Sequence, residues 1–218
     1  METKNENLDI CKKCGGYCCK KCGCDYAVED FLEIKKDYLL SKLEEGYISI
    51  VSIQNFKRLP NGEMVNLPFL YLRARNINRP VVDLLSMKTT CASLTDMGCQ
   101  FDYEHRPMGG KNLVPVEGMR CYPREDAINI VKGWERYQNI LEKIVKRLTG
   151  KSVDEKLRED IENLFFDLLC NHVEGVAKSE LSDIKRMLPL LVQIYFQEYQ
   201  KAKKRFQQSP ERILNKKQ

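Results

Sequence analysis

The sequence predicts an α+β fold, mostly helical, in which irregular cysteine-rich loops and a small β-hairpin pack on a C-terminal bundle of about three helices. Three observations carry that expectation. Six of the ten cysteines fall within one short segment, as Cys11, Cys14, Cys18, Cys19, Cys22 and Cys24. A β-rich run over residues 48–75 is divided by the turn signal Pro60-Asn61-Gly62. Beyond Pro123, three long stretches carry apolar residues at helical spacing.

A chain of 218 residues is long enough for one sizeable core. We divide it into a cysteine-cluster region, residues 1–123, and a helical region, residues 124–218, packed as one unit. Hydrophobic residues at 43% and charged residues at 31% argue against extended disorder. The net charge of +5, from 36 basic and 31 acidic side chains, does not mark a nucleic-acid binder. Lys201, Lys203, Lys204, Arg205, Lys216 and Lys217 read as a solvated helix face and tail. No segment reaches the roughly 20 apolar residues of a membrane span, and residues 1–7 lack the apolar run of a signal peptide. A cytoplasmic location is therefore expected. Reducing conditions there turn ten cysteines toward metal ligation or thiol chemistry and away from disulfides.

Residues 8–25 cannot form a regular helix, because Gly15, Gly16 and Gly23 lie among the thiols, as a loop wrapped round an ion requires. From Asp25 to Glu45, Val28, Phe31, Leu32, Tyr38, Leu39 and Leu43 recur at three and four residues and predict a helix stopped by Gly46. Ile48, Ile50, Val51 and Ile53 predict a strand, and Met64 to Arg75 its hairpin partner, with Pro68 at an edge or a bulge. Residues 77–123 show no periodicity and are expected to be irregular, ordered by a bound metal in place of a core.

Ile128, Val131, Trp134, Leu141, Ile144, Val145 and Leu148 form the stripe of a first long helix that ends at Gly150. Ser152 and Glu155 form a capping box that opens a second, striped from Val153 to Val176. A third, over about 179–207, carries Leu181, Ile184, Leu188, Leu191, Tyr195, Phe196 and Tyr199, with a kink expected at Pro189.

Thiols two residues apart can face one ion from a tight turn, the spacing of zinc knuckles and iron–sulfur loops. Cys91, Cys99 and Cys121, isolated in the irregular region, are expected to close a site begun by the first cluster. The nine candidate metal ligands are thus Cys11, Cys14, Cys18, Cys19, Cys22, Cys24, Cys91, Cys99 and Cys121, enough for two four-coordinate centres. Cys170, mid-helix beside an apolar stripe, and His172 read as core residues, while His105 reads equally as a ligand or a surface imidazole. Tyr103, Glu104, His105 and Arg106 lie beside Cys99, though an Arg-Pro turn held by local ion pairs is the better account of them.

The pattern Cys11-x2-Cys14-Gly15-Gly16-Tyr17-Cys18-Cys19, then Cys91-x2-Leu94, Gly98-Cys99-x-Phe101, Arg106-Pro107 and Arg120-Cys121-Tyr122-Pro123, resembles the YkgJ, or CxxCxxCC, cysteine-cluster family. That family is described as zinc- or iron-chelating, and the resemblance spans about residues 11–123 in pieces. It implies Cys11, Cys14, Cys18, Cys19, Cys91, Cys99 and Cys121 as chelators. The family often places a cysteine soon after the Arg-Pro pair, whereas Met108-Gly109-Gly110 follows here, with Cys22 and Cys24 as extra thiols. The same signature is similar to part of the flagellin lysine N-methylases, which implies iron–sulfur-dependent methyl transfer; the chain is short for that enzyme and has no glycine-rich nucleotide loop.

The expected function is a metal-binding protein that chelates zinc or an iron–sulfur cluster through clustered cysteines. The alternative is an iron–sulfur-dependent enzyme, either a protein lysine methyltransferase-like or a redox protein. Expected partners are the metal ion or cluster and, in a purely structural-zinc reading, a protein or peptide docked on the helical half; membrane and nucleic acid are disfavoured.

Overall fold

The computed structural model describes residues 13, 15, 16, 19, 20, 24–75, 80–85, 90–96, 98–114, 122, 123, 126–170 and 178–209, the side chains of 114, 122, 123 and 178–183 aside. Among them the protein is mostly helical with small antiparallel sheets.

The central sheet has the order β1 (Asp25–Tyr26), β5 (Phe69–Ala74), β2 (Ile48–Ile53). The pairing of β2 with β5 runs in unbroken register from Ile48 opposite Ala74 to Ile53 opposite Phe69. Five of the six β2 residues are buried, including Ser49 and Ser52, whose hydroxyls are satisfied by the carbonyls of Pro80 and Leu84. Residues 81–84 extend the sheet beyond β2: the Ile50 amide donates to Val81 O at 2.8 Å, and the Asp83 amide to Ile50 O at 3.0 Å. The same hairpin continues outward as β3 (Phe56–Arg58) and β4 (Met64–Asn66). Pro68 lies in the gap between β4 and β5, where its missing N–H costs no ladder bond. Neither the edge nor the bulge expected at Pro68 is found: β5 is the central strand, and the register runs on without an extra residue from Ile53 opposite Phe69 to Phe56 opposite Asn66.

The helix expected from Asp25 to Glu45 is shorter: only α1 (Lys36–Glu44) forms. Residues 25–26 pair with β5, and Asp30 accepts from the Ala27 amide at 2.8 Å, closing a short 3-10 turn over Val28–Asp30. Leu32, expected on the helix stripe, is 94% exposed. Sheet pairing competes with helix here, and the β1–β5 hydrogen bonds win. The expected irregular region also holds short ordered pieces: β6 (Leu94–Thr95) with β7 (Gly98–Cys99), α2 (Met108–Asn112), and β8 (Leu113–Val114) with β9 (Tyr122–Pro123).

The first long helix divides into α3 (Ala127–Val131), a 3-10 segment over Lys132–Tyr137, and α4 (Gln138–Thr149). Gly150 ends α4 at φ 71°, and its amide donates to Lys146 O at 2.9 Å. The capping box is present: the Ser152 amide donates to Glu155 Oε2 at 2.7 Å and the Glu155 amide to Ser152 Oγ at 3.2 Å. It opens α5 (Val153–Cys170). Its buried Leu157, Ile161, Leu164 and Phe165 keep the expected stripe; His172, Val173 and Val176 lie outside the described residues. The third helix is α6 (Lys178–Ile194) and α7 (Phe196–Gln208). Its break falls at Tyr195, not at Pro189, which α6 accommodates on an exposed position.

One apolar core joins sheet and helices: Leu39, Leu43, Ile50, Leu70 and Leu72 pack with Trp134, Leu141, Ile144, Leu157, Ile161 and Phe165. Two polar clamps set the helices against the strands. Gln138 donates to Leu70 O and accepts from the Leu70 amide, both at 2.8 Å, completing β5 as a neighbouring strand would. The buried Trp134 donates from Nε1 to Tyr26 O at 2.8 Å, which ties the helices to β1 one residue from Asp25.

Candidate metal centre

Cys24 is placed by the sheet. It immediately precedes β1, its carbonyl accepts from the Ala74 amide at 2.7 Å, and its side chain is 6% exposed. Asp25 carries the strand onward by pairing with Arg73, Nε to Oδ1 at 2.6 Å. Cys91 comes from the far side of the sequence. Its amide donates to the Cys19 carbonyl at 2.7 Å, and it starts a turn closed by the Leu94 amide on Cys91 O at 3.1 Å. The described part of the first cluster is thereby stitched to the second cysteine region.

The three thiols meet. Cys24 hydrogen-bonds to both Cys19 and Cys91, and with Ala74, Tyr26 and Leu94 they form a buried pocket of packing separate from the main core. Donation to Cys19 and then to Cys91, together with burial, pushes the Cys24 thiol well up. The hydrogen bond from Cys24 pulls the other two down, Cys91 to about 7 and Cys19 below its ordinary value, against the opposing effect of burial. The Cys91 sulfur also accepts from the amide and the hydroxyl of Ser93. Tyr26 lies over this set: burial first, then Cys91 and Cys24, pushes its phenol up, and Cys99 acts in the same sense.

Glycines let the surrounding chain close on the sulfurs. Gly16 sits at φ 73°, where an added Cβ would also stand 2.3 Å from Leu94 Cδ1. α2 presses on the other side: a Cβ on Gly109 would lie 2.6 Å from both the N and the O of Asp25, and one on Gly110 would lie 3.4 Å from Cys24 Sγ. The Met108-Gly109-Gly110 segment is thus the surface that backs Cys24. Asp30 fixes it by accepting from the Met108 amide at 2.9 Å.

Of the nine expected ligands, the structure brings together Cys19, Cys24 and Cys91. Cys99, half-buried on β7, acts on the same Tyr26. Cys11, Cys14, Cys18, Cys22 and Cys121 lie outside the described residues. None of the five described cysteines is in a disulfide. Cys170 is buried at 2%, as expected of a core thiol. His105 is on the surface with Nδ1 at 2.6 Å from Asp102 Oδ1, and Arg106 Nε donates to Phe101 O at 3.1 Å, the local turn anticipated for this segment.

Among the described residues, no group of three or more His, Cys, Asp or Glu side chains is arranged to hold a metal ion. The chemistry of the donor set nevertheless fits a thiophilic metal. Two sulfurs on one tetrahedral zinc stand about 3.8 Å apart, given Zn–S bonds of about 2.3 Å, which is within the reach of a thiol–thiol hydrogen bond. Comparison with known proteins adds no relative: no family model, no curated protein and no solved structure matches this chain.

Sequence reasoning missed Ser93, Tyr26, Gly109 and the central place of Cys24. For Cys24 a signal was present: it is followed directly by the alternating Asp25-Tyr26 pair that enters the sheet.

Proposed function

We propose that this protein binds a thiophilic metal, zinc or an iron–sulfur cluster, through a thiol centre that includes Cys19, Cys24 and Cys91. The observation that supports it is the convergence on Cys24 of a thiol five residues upstream and a thiol from the distant 90–96 segment, held by a backbone bond from Cys91 to Cys19. Buried cysteines that only fill space behave as small hydrophobes and scatter through the core. These three instead share hydrogen bonds with one another, and one of them takes two further N–H and O–H donors. Hydrogen-bonded thiolates of this kind are what metal and cluster sites use to orient and tune their ligands.

In this reading the remaining ligands come from Cys11, Cys14, Cys18, Cys22, Cys99 or Cys121, the residues that the resemblance to the cysteine-cluster family and the spacing nominate. The metal organises the cysteine region, and the sheet–helix core carries it as a preformed support. Purification without oxygen, followed by metal and acid-labile sulfide analysis and an ultraviolet–visible spectrum, tests the proposal. Stoichiometric zinc in a colourless protein supports a closed tetrathiolate site, and iron with sulfide and a broad visible band supports a cluster. Protein that emerges without metal and takes up neither zinc nor iron when reduced would refute both.

A further inference from the structure

We infer that Ser93 is a positioning residue of the thiol centre, with its amide and hydroxyl both directed at the Cys91 sulfur so that this ligand is fixed in orientation before a metal arrives. The inference rests on the metal-binding reading above and assigns a role to a residue outside the cysteine pattern.

Ser93 is 3% exposed and sits inside the turn that begins at Cys91. A buried hydroxyl must find a partner or incur the cost of an unmade hydrogen bond, and the partner Ser93 finds is the Cys91 sulfur. The turn explains why both donors reach it. With the Leu94 amide closed on Cys91 O at 3.1 Å, Cys91 and Ser93 lie in one tight turn. The rest of Ser93 is anchored independently, since its carbonyl accepts from the Gln100 amide at 2.8 Å beyond the β6–β7 hairpin. The Cys91 amide is anchored too, on Cys19 O. The sulfur is therefore held from the protein side by two donors and from the cluster side by Cys24.

Such a support acts on a metal thiolate in two ways. It limits the rotamers the sulfur samples, which favours binding, and it withdraws electron density from the sulfur, which alters the metal–thiolate bond. A Ser→Ala change at this position removes the hydroxyl donor and leaves the amide donor, the fold of the turn and the ligand itself in place. A Ser→Thr change keeps the hydroxyl.

The test uses the reduced full-length protein without oxygen, titrated with cobalt(II) alone, whose sulfur-to-metal charge-transfer bands report the thiolates directly. Ser93→Ala is expected to shift those bands to lower energy and to weaken cobalt binding about tenfold in competition with a chelator of known affinity, the lower end of what supporting residues of metal sites contribute. Ser93→Thr is expected to restore both. Wild-type bands and affinity retained in Ser93→Ala would overturn the role of Ser93 and leave the metal centre standing. Absence of any thiolate–cobalt band in the wild-type protein would overturn the centre and this role together. Equal losses in the Ala and Thr variants would also overturn it, since a hydroxyl-independent effect reports packing only.

Discussion

The protein contains two buried regions held together by different physics. The sheet–helix core is a continuous apolar cluster in which Trp134, Leu141, Ile144 and Ile161 are fully buried. Its stability comes from the area that such side chains remove from water. The cysteine region buries Cys24, Ala74 and Cys91, three small side chains that together offer little apolar area. It is held by backbone bonds, by the Asp25–Arg73 ion pair and by hydrogen bonds among sulfurs. The difference teaches which region depends on a ligand. A core built on Trp134 folds on its own contacts, whereas a region of small thiols and glycines is the one to which the proposed metal would add cohesion.

The comparison breaks most sharply at Trp134. Trp134→Ala removes the largest fully buried side chain and the bond to Tyr26 O, and should lower unfolding free energy by about 3–5 kcal/mol with or without metal. Urea unfolding followed by far-ultraviolet circular dichroism measures this, and equal losses in both states are expected. Metal addition comes next. At about 100 times its dissociation constant, the metal should stabilise the reduced protein by about 2.7 kcal/mol, and a chelator should reverse this in a thermal melt.

Gly109→Ala sharpens the contrast, because the new methyl meets the backbone of Asp25, the residue after Cys24, at 2.6 Å. A loss of about 1–3 kcal/mol is expected, accompanied by reduced metal content, which the Trp134 variant should not show per folded molecule. Ser152→Ala is the converse control. It removes the α5 cap for about 1 kcal/mol and should leave metal content unchanged.

The smallest effect concerns pH. Burial raises the Asp160 carboxyl, opposed by its Lys156 partner, and its Oδ2 has no hydrogen-bond partner. A carboxyl with a raised folded value binds its proton more tightly in the folded protein. Its contribution is therefore present below the ordinary value of 3.8 and lost as pH rises through the folded value. Relative to Asp160→Asn, the wild-type urea midpoint should fall as pH rises above 3.8.

Much of the helical half was legible in the sequence because its signals are local: the stripe through Leu141, Ile144 and Val145, the Ser152–Glu155 box and Gly150 each act within a few residues. The hairpin about Pro60-Asn61-Gly62 was legible for the same reason. The run from Asp25 to Ile34 was not. Its apolar spacing suits a helix, but the deciding partners, Leu72 and Arg73 on β5 and Trp134, are distant in sequence. The same limit applies to the thiol centre. Spacing nominated Cys19 and Cys91 and grouped their loops, yet the place of Cys24 between them depends on the β1–β5 pairing, and Ser93 carries no spacing signal at all. The break at Tyr195 was hidden by Pro189, the stronger local punctuation.

The central claim is tested most directly by the metal content of Cys24→Ser set beside that of Cys170→Ser, both purified without oxygen. The account predicts that Cys24→Ser loses most of its metal while its circular dichroism keeps the helical signature of the core, and that Cys170→Ser, altered at a buried thiol outside the centre, keeps the wild-type content. Wild-type metal content in Cys24→Ser would contradict it.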